Sequence, residues 1–358
     1  MTDCTVTIAG PESWSVESEH VAGHKCIGTH NGTFHCDEAL ACGILKSLPQ
    51  WRDAVVVRTR DPDQLAKCDI VVDVGGVYDA EALLFDHHQR TFTDTMAELG
   101  FKTRLSSAGL VYRHFGLAFL KECLKGAVPD EVVEKVLYKK VYKNFIEEVD
   151  GVDNGVNAFD GAPNYTVTSA LGARVSRLNP DWNGDASPGA ANANFKSAMA
   201  LTLCELAAHV RALAEAWWPA RSIIAASLSK AADVYATGEV VILDEFCPWK
   251  EHLHDLEREA GIFGRTKFVL YGDSGGGWRV QTVPLAATGF ENRMPIEPAW
   301  WGVRDDKLSD ATGIPGCVFV HANGFIGGNK SREGALAMAL KSLELAEARK
   351  SASAGVAT

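Results

Sequence analysis

The chain has 358 residues, 46% of them hydrophobic and 23% charged, with a formal net charge of −11. This is an ordinary globular composition, long enough for two domains, and its acidity argues against coating long nucleic acid through a broad basic face. No apolar run approaches the length of a membrane span, and the nine cysteines, odd in number and without a Cys-x-x-Cys pair, read as reduced intracellular thiols.

Residues 1–24 read as a polar lead-in with neither a signal nor a transit peptide, since Lys25 is the first basic residue. Lys25-Cys26-Ile27-Gly28-Thr29 is the first strand, and it runs into His30-Asn31-Gly32-Thr33-Phe34-His35-Cys36-Asp37-Glu38. Ala39, Leu40, Ile44, Leu45 and Leu48 then repeat at helical spacing until Pro49 stops the helix. His30, His35 and Asp37 therefore lie between a strand and a helix, although Asp37 and Glu38 equally suit the helix dipole. Residues 54–58 and 69–74 are further strands, and the second carries Asp73 where a buried strand would leave the sheet. An apolar run at 82–85 is followed at once by Asp86-His87-His88. In open α/β sheets ligands bind beyond the carboxyl ends of the strands, and carboxylate with neutral imidazole suits a divalent cation.

Ser106-Ser107-Ala108-Gly109 opens a capped helix whose apolar face runs through Val111, Phe115, Phe119 and Leu120. Another helix, from about Asp130 to Glu148, ends in Val149-Asp150-Gly151-Val152-Asp153-Asn154-Gly155, a fourth acidic cluster. Residues 166–178 read as helix and 179–194 as a linker. The layout expected is α/β, with a parallel-sheet N-terminal domain over 25–190, a helical connector over 191–237, a smaller α+β domain over 238–349 and a frayed tail over 350–358. His114, His209 and the Trp217-Trp218 pair are assigned to packing, and His252 and His254, two apart on a helix, do not face one metal. Near the end, strand 317–320 stops at His321. Gly327-Gly328 ahead of a helix start would leave amides open to an anion, with Lys330 and Arg332 adding charge.

If the strands of the first half are parallel, the His30/His35/Asp37, Asp73 and Asp86/His87/His88 clusters share one sheet edge. A helix would bring Asp150 and Asp153. That is more than one metal's worth of ligands, and two-metal sites with a shared acid serve in-line displacement at phosphorus.

The motifs also carry a resemblance. Residues 27–38, Val72-Asp73-Val74-Gly75-Gly76, Asp86-His87-His88-Gln89-Arg90, Leu105-Ser106-Ser107-Ala108-Gly109, Val149 through Gly155, Cys247-Pro248-Trp249-Lys250-Glu251-His252 and residues 313–328 resemble the melanocyte-proliferating-gene family of DHH-superfamily phosphoesterases. The match covers nearly the whole chain after Lys25. It implies a DHH-type metal-binding catalytic domain, a C-terminal substrate-binding domain and an active site in the cleft between them. It further implies two divalent ions, manganese first and magnesium as the alternative, and 3′-to-5′ exonuclease activity favouring single-stranded RNA or short oligonucleotides. Carried over residue by residue, His30, His35 and Asp37 are metal ligands, Asp73 bridges, and His87 is a ligand. His88 touches phosphate or supports a ligand, and Arg104 is a phosphate contact. Asp73, His87 and His88 form the catalytic set, and either Asp150 or Asp153 completes the metal site. Where many superfamily members have Asp-x-Asp, this chain has His35-Cys36-Asp37, which leaves the metal open. The rival readings are a pyrophosphatase-like or small-nucleotide phosphatase and a metal-stabilised binding protein. No membrane association is expected, homo-oligomerisation is left open, and the compartment expected is cytoplasm or nucleus, with mitochondria implied by the family alone.

Overall fold

A computed structural model describes residues 11–356. The chain divides into two compact units, residues 1–214 and 215–358. In the first unit six strands, β1 (Val16–Glu17), β2 (Cys26–Thr29), β3 (Val55–Arg58), β4 (Ile70–Val72), β5 (Tyr78–Asp79) and β6 (Leu84–Phe85), form a sheet in the order β1-β3-β2-β4-β6-β5. Every pairing is parallel except β5 on β6. Strands β2, β3 and β4 are buried along their whole length, which is why they read as unbroken apolar runs instead of alternating ones. The register sets Ile27 opposite Ile70 and Val72 opposite Phe85, so β2, β4 and β6 lie side by side and end at one edge.

Helix α1 (Cys36–Ser47) is buried at every residue. It packs on α2 (Ser107–Leu124) and on a helix that begins at Pro188 and ends at Ala212, α4 once α3 (Glu147–Asp153) is counted. At Gly43 the α1 and α4 backbones meet, and a Cβ there would stand 3.2 Å from both Leu203 Cβ and Met199 O. Helix α3 closes a helical run over 130–153 that contains π-helical turns at Val133–Leu137 and Tyr142–Ile146.

The second unit holds β7 (Val240–Ile242), β8 (Phe268–Gly272), β9 (Trp278–Thr282), β10 (Cys317–Val320) and β11 (Ile326–Asn329) in the order β10-β11-β9-β8-β7. Only β7 and β8 pair in parallel. Helices α5 (Trp218–Ser229) and α6 (Lys250–Glu259) pack together, and α7 (Arg332–Val356) lies along β8, β9 and β11.

Several expected boundaries change. Part of the lead-in is structured: Trp14 is buried and Val16–Glu17 adds an edge strand to β3, while residues 1–10 lie outside the described ones. No separate connector forms among the described residues, because α4 packs on α1 within the first unit and α5 packs on α6 within the second. The helical run 188–229 is long and apolar enough to cross a membrane by length and composition, yet half of its most apolar window is buried, as in a core helix. The helix expected over 166–178 is confined to Leu171–Ser176, and α7 continues through Val356 where a frayed tail was expected.

Candidate metal centre at the carboxyl edge of the first sheet

Each strand of the β2-β4-β6 group delivers its next residue to the same edge: His30 after Thr29, Asp73 after Val72, Asp86 after Phe85. Asp73 holds a left-handed backbone, φ 59°, uncommon outside glycine and tolerated best by Asp and Asn. Its amide donates to Phe85 O at 3.1 Å, so the turn is tied to β6 while the carboxylate points among the imidazoles. His30 Nε2 lies 3.1 Å from Glu38 Oε1 and 3.3 Å from Asp73 Oδ2. His87 Nδ1 lies 3.4 Å from Asp73 Oδ1, and His87 Nε2 lies 2.8 Å from Asp153 Oδ2.

The donor atoms fall into groups whose members lie within 4.8 Å of one another: His30, His35, Glu38 and Asp73; Asp73, Asp86, His87 and His88; and His35, Asp37 and Asp153. Asp73 is common to the first two groups. Around it are buried polar atoms without a hydrogen-bond partner, namely Asp73 Oδ1, Asp37 Oδ1 and His87 Nδ1. Burial pushes the Asp37 carboxyl well up, reinforced by Asp73, Glu38 and Asp153. Asp73 is likewise raised by burial, against the pull of His30. Burial disfavours a charged His30 ring, but Asp73 and Glu38 outweigh it and hold the imidazole up at about 10. Crowded carboxylates, orphaned oxygens and an imidazole nitrogen aimed at two of those carboxylates are what a divalent cation would satisfy, so the donor set fits a metal.

Around these atoms stand residues that fix them. His30 Nδ1 is 3.0 Å from Asn31 O, which leaves Nε2 for the cluster. The Glu38 carboxylate accepts from His35 N at 2.9 and 3.0 Å, closing the α1 start over the cluster. Asp37 Oδ2 accepts from Ser107 Oγ at 2.8 Å, joining α1 to the start of α2. Asp86 accepts from Gly76 N at 2.5 Å and pairs with His88 Nδ1 at 2.7 Å. That pairing raises His88; burial pushes Asp86 up, but His88 and Gly76 outweigh it and hold the carboxyl low. Cys36, beside these ligands, is pushed far up by burial and by Asp37 and Glu38.

Asp150 and Asp153, one helical turn apart on α3, part ways. Asp150 is fully buried and accepts from Ser106 N (2.9 Å), Ser106 Oγ (2.7 Å), Gly109 N (3.0 Å) and Tyr142 Oη (2.8 Å). Burial raises its carboxyl and these donors pull it back, to about 7. With both oxygens taken, Asp150 braces the start of α2 and belongs to none of the donor groups; this corrects its place among the expected ligands. A Cβ at Gly109 would stand 2.4 Å from its oxygens, so the glycine is what lets α2 approach. Asp153 faces His87. Burial raises it, but the hydrogen bond from His87 and the nearby His35 and His88 rings hold its carboxyl low.

A cavity of about 390 Å³ opens over the cluster, lined by His35, Asp37, His87, His88, Asp153 and Arg104 among others. Arg104 is exposed at its rim, with Nε donating to Asn154 Oδ1.

The remaining expected substrate residues lie in the second unit. Gly327 and Gly328 are not an open anion cradle: both sit inside β11, paired with β9 on one side and β10 on the other. They are glycines because a Cβ at Gly327 would meet Phe319 O at 3.1 Å, and one at Gly328 would meet Arg279 Nη1 at 2.7 Å. The α7 start is also capped, since Gly334 N donates to Ser331 Oγ at 3.0 Å. Lys330 and Arg332 are exposed, the latter over the Trp278 ring at 5.9 Å, and His321 Nδ1 accepts from Asn323 N at 3.1 Å. Glu38 was read from sequence only as a helix-start acid, whereas Asp86 was already grouped with His87 and His88. Glu38 sits where a capping-box acid is expected, which was the signal for it.

Two clusters of metal-type donors hinged on one shared carboxylate, at the carboxyl edge of a mainly parallel sheet, define a candidate metal-binding α/β protein. The sequence profile of MYG1_exonuc, described as "Uncharacterised protein family (UPF0160)", matches residues 26–343, and the chain belongs to that family. It is 50% identical to "MYG1 exonuclease" of Homo sapiens over 323 residues, covering 88% of this chain and 85% of that one. It is 49% identical to "MYG1 exonuclease" of Bos taurus over 330 residues, covering 90% and 86%. With "MYG1 protein YER156C" of Saccharomyces cerevisiae it shares 41% over 326 residues, covering 89% and 96%. Among solved structures, RecJ of Thermus thermophilus in complex with Mg2+ aligns at 15% identity and a TM-score of 0.23, over 91% of this chain and 50% of that chain. Exonuclease RecJ bound to manganese gives the same identity and TM-score over 91% of each chain. A TM-score that low does not establish a common fold.

Proposed function

We propose that this protein is a metal-dependent phosphodiesterase of the DHH superfamily, a 3′-to-5′ exonuclease acting on single-stranded RNA or short oligonucleotides. The observation that carries the reading is Asp73, shared between two donor groups and flanked by orphaned buried atoms. The mammalian relatives named exonuclease, about half identical along most of their length, favour nucleic acid as substrate. His30, His35 and Asp37 would hold one ion, His87 and Asp153 the other, with Asp73 between them. Manganese is the first choice and magnesium the second. Bound ions of this kind activate water and neutralise charge in displacement at phosphorus.

The chain's own groups account for the rest. Asn31 O and Asp86 orient His30 and His88 through their Nδ1 atoms, so little reorganisation is needed when substrate arrives. His88, raised by Asp86 and 62% exposed at its side chain, is placed to donate a proton to a phosphate oxygen at the cavity. Arg104 at the rim would meet the next phosphate along the strand.

The test is hydrolysis of a 5′-labelled single-stranded RNA with Mn2+, comparing wild type with His87→Ala. Stepwise shortening from the 3′ end, lost with a chelator and in the variant, is the expected result. Intact RNA together with phosphate release from pyrophosphate would replace the reading with that of a small-phosphate hydrolase.

A further inference from the structure

Behind the loop that carries His30 and His35 lies a second cavity, of about 460 Å³, lined by Ser18, Asn31, Thr33, Arg58, Asn179 and Asn192 among others. None of its lining residues belongs to a metal-donor group, and none is acidic. Arg58, at the end of β3, is only 2% exposed. Its Nη2 donates to Gly32 O at 2.7 Å and its Nη1 reaches Asn192 Oδ1 at 3.4 Å, while the buried Nε has no partner.

A guanidinium buried this deeply normally has a carboxylate partner, because desolvating a lone charge is costly. Among the described residues Arg58 has none within ion-pair distance, since Glu38 is turned to His30, and burial lowers the basicity of the guanidinium. The rings of Phe34 and Phe195 lie 5.4 and 4.7 Å from its central carbon. Such stacking compensates the faces of the cation but leaves the in-plane N–H groups, which are the ones that fork onto an anion. The other polar groups at the wall are amides and hydroxyls. Asn179 is fixed by two bonds to the Phe34 backbone, at 2.9 and 2.8 Å, so the wall is rigid. Size and chemistry together match a small ligand with one anionic group.

We propose that this cavity binds a phosphate-bearing small molecule, with Arg58 as the anion ligand, at a site separate from the metal cluster. The assignment does not depend on the nuclease reading, since it concerns binding alone.

The test is isothermal titration of the Mn2+-loaded protein with AMP and with inorganic phosphate. Wild type should show a class of AMP site at this cavity, whether or not AMP also binds at the metal centre. Arg58→Met should weaken that class by at least about tenfold and leave any binding at the metal centre as it was, as loss of a charge-assisted hydrogen-bonding partner predicts. Ala186→Trp, at an exposed position on the cavity wall, should remove the same class by filling the space without touching the core. If Arg58→Met does not fold, Ala186→Trp decides alone. Competition by inorganic phosphate for that class supports the anion assignment. Unchanged isotherms in the folded variants, or equal competition by uncharged adenosine, would overturn it.

Discussion

At the carboxyl edge of the first sheet and at the β10–β11 turn of the second, a strand leads into residues that suit ligand binding, but the two places differ in direction. Strands β2, β4 and β6 run parallel, so the residues that follow them, His30, Asp73 and Asp86, accumulate at one edge with no strand to take up their side chains. Strand β10 turns back antiparallel into β11, and the glycines after the turn spend their amides on the ladder. Parallel topology gathers function at strand ends, whereas a hairpin consumes the same backbone groups in its own pairing.

The largest expected effect lies at the shared carboxylate. Asp73→Asn keeps a residue that tolerates the left-handed backbone, so the fold should persist. Metal-dependent hydrolysis should fall by about 10³-fold or more, as for loss of a principal charge-stabilising group. Calorimetric titration with Mn2+ should show fewer ions bound per chain. Full stoichiometry with full activity would remove Asp73 from the centre and break the contrast between the two sheets.

Next come the paired acids of α3. Asp150→Ala leaves buried donors on Ser106, Gly109 and Tyr142 unpaired, and should cost about 3 kcal/mol or more of stability in urea unfolding. Asp153→Ala should leave stability nearly unchanged and depress activity instead. The reverse pattern would exchange their roles.

The positions of these acids show what sequence can and cannot convey. Thr29-His30, Val72-Asp73 and Phe85-Asp86 were legible because each apolar run stops abruptly at a polar residue, whereas the parallel pairing that brings them together was not, since no helix lies between β4 and β6 to require it. Asp150 and Asp153 could not be separated, because the expected helix stopped at Glu148 and both acids fell in a loop. In fact α3 runs to Asp153, and the two acids share one face of it but stand about 4.5 Å apart along its axis, so they reach different neighbours. Gly327 and Gly328 misled for a related reason. Glycine marks a loop, but it also marks a strand under close approach, and only the neighbours Phe319, Arg279 and Met338 distinguish the two cases. Arg58 was legible only as the end of a strand, since one wall of its cavity is built from residues 179–192, more than a hundred positions away.

The scaffold behind the edge has its own pH response, which separates it from the ligands. Lys46, near the end of α1, is 2% exposed and its Nζ donates to Arg52 O and Ala54 O, both at 2.5 Å. Burial holds its ammonium down at about 8 against an ordinary 10.5, with Asp53 pulling the other way. Between those values the folded chain carries fewer protons than the unfolded one, so this group's contribution to stability rises with pH. The gain should approach about 3 kcal/mol across the window. Urea unfolding of wild type and Lys46→Met at pH 7.5 and 10 should show the difference shifting towards wild type at the higher pH. A pH-independent difference would mean Lys46 stays charged in the fold.

The smallest effect is expected at the second unit's turn. Lys330 and Arg332 are exposed, and the amides near them are already engaged, Ser331 N by Asn329 Oδ1 at 3.0 Å and Gly334 N by Ser331 Oγ at 3.0 Å. Without free amides, two solvated cations act only through a screened field. A Lys330→Ala/Arg332→Ala variant should therefore change kcat/KM on short oligonucleotides by less than about threefold, and less still as salt rises. A loss of about 10²-fold at physiological salt would show that the strand and cap open to receive phosphate. The contrast would then be one of state, with the hairpin releasing on binding the amides that the parallel edge never engages.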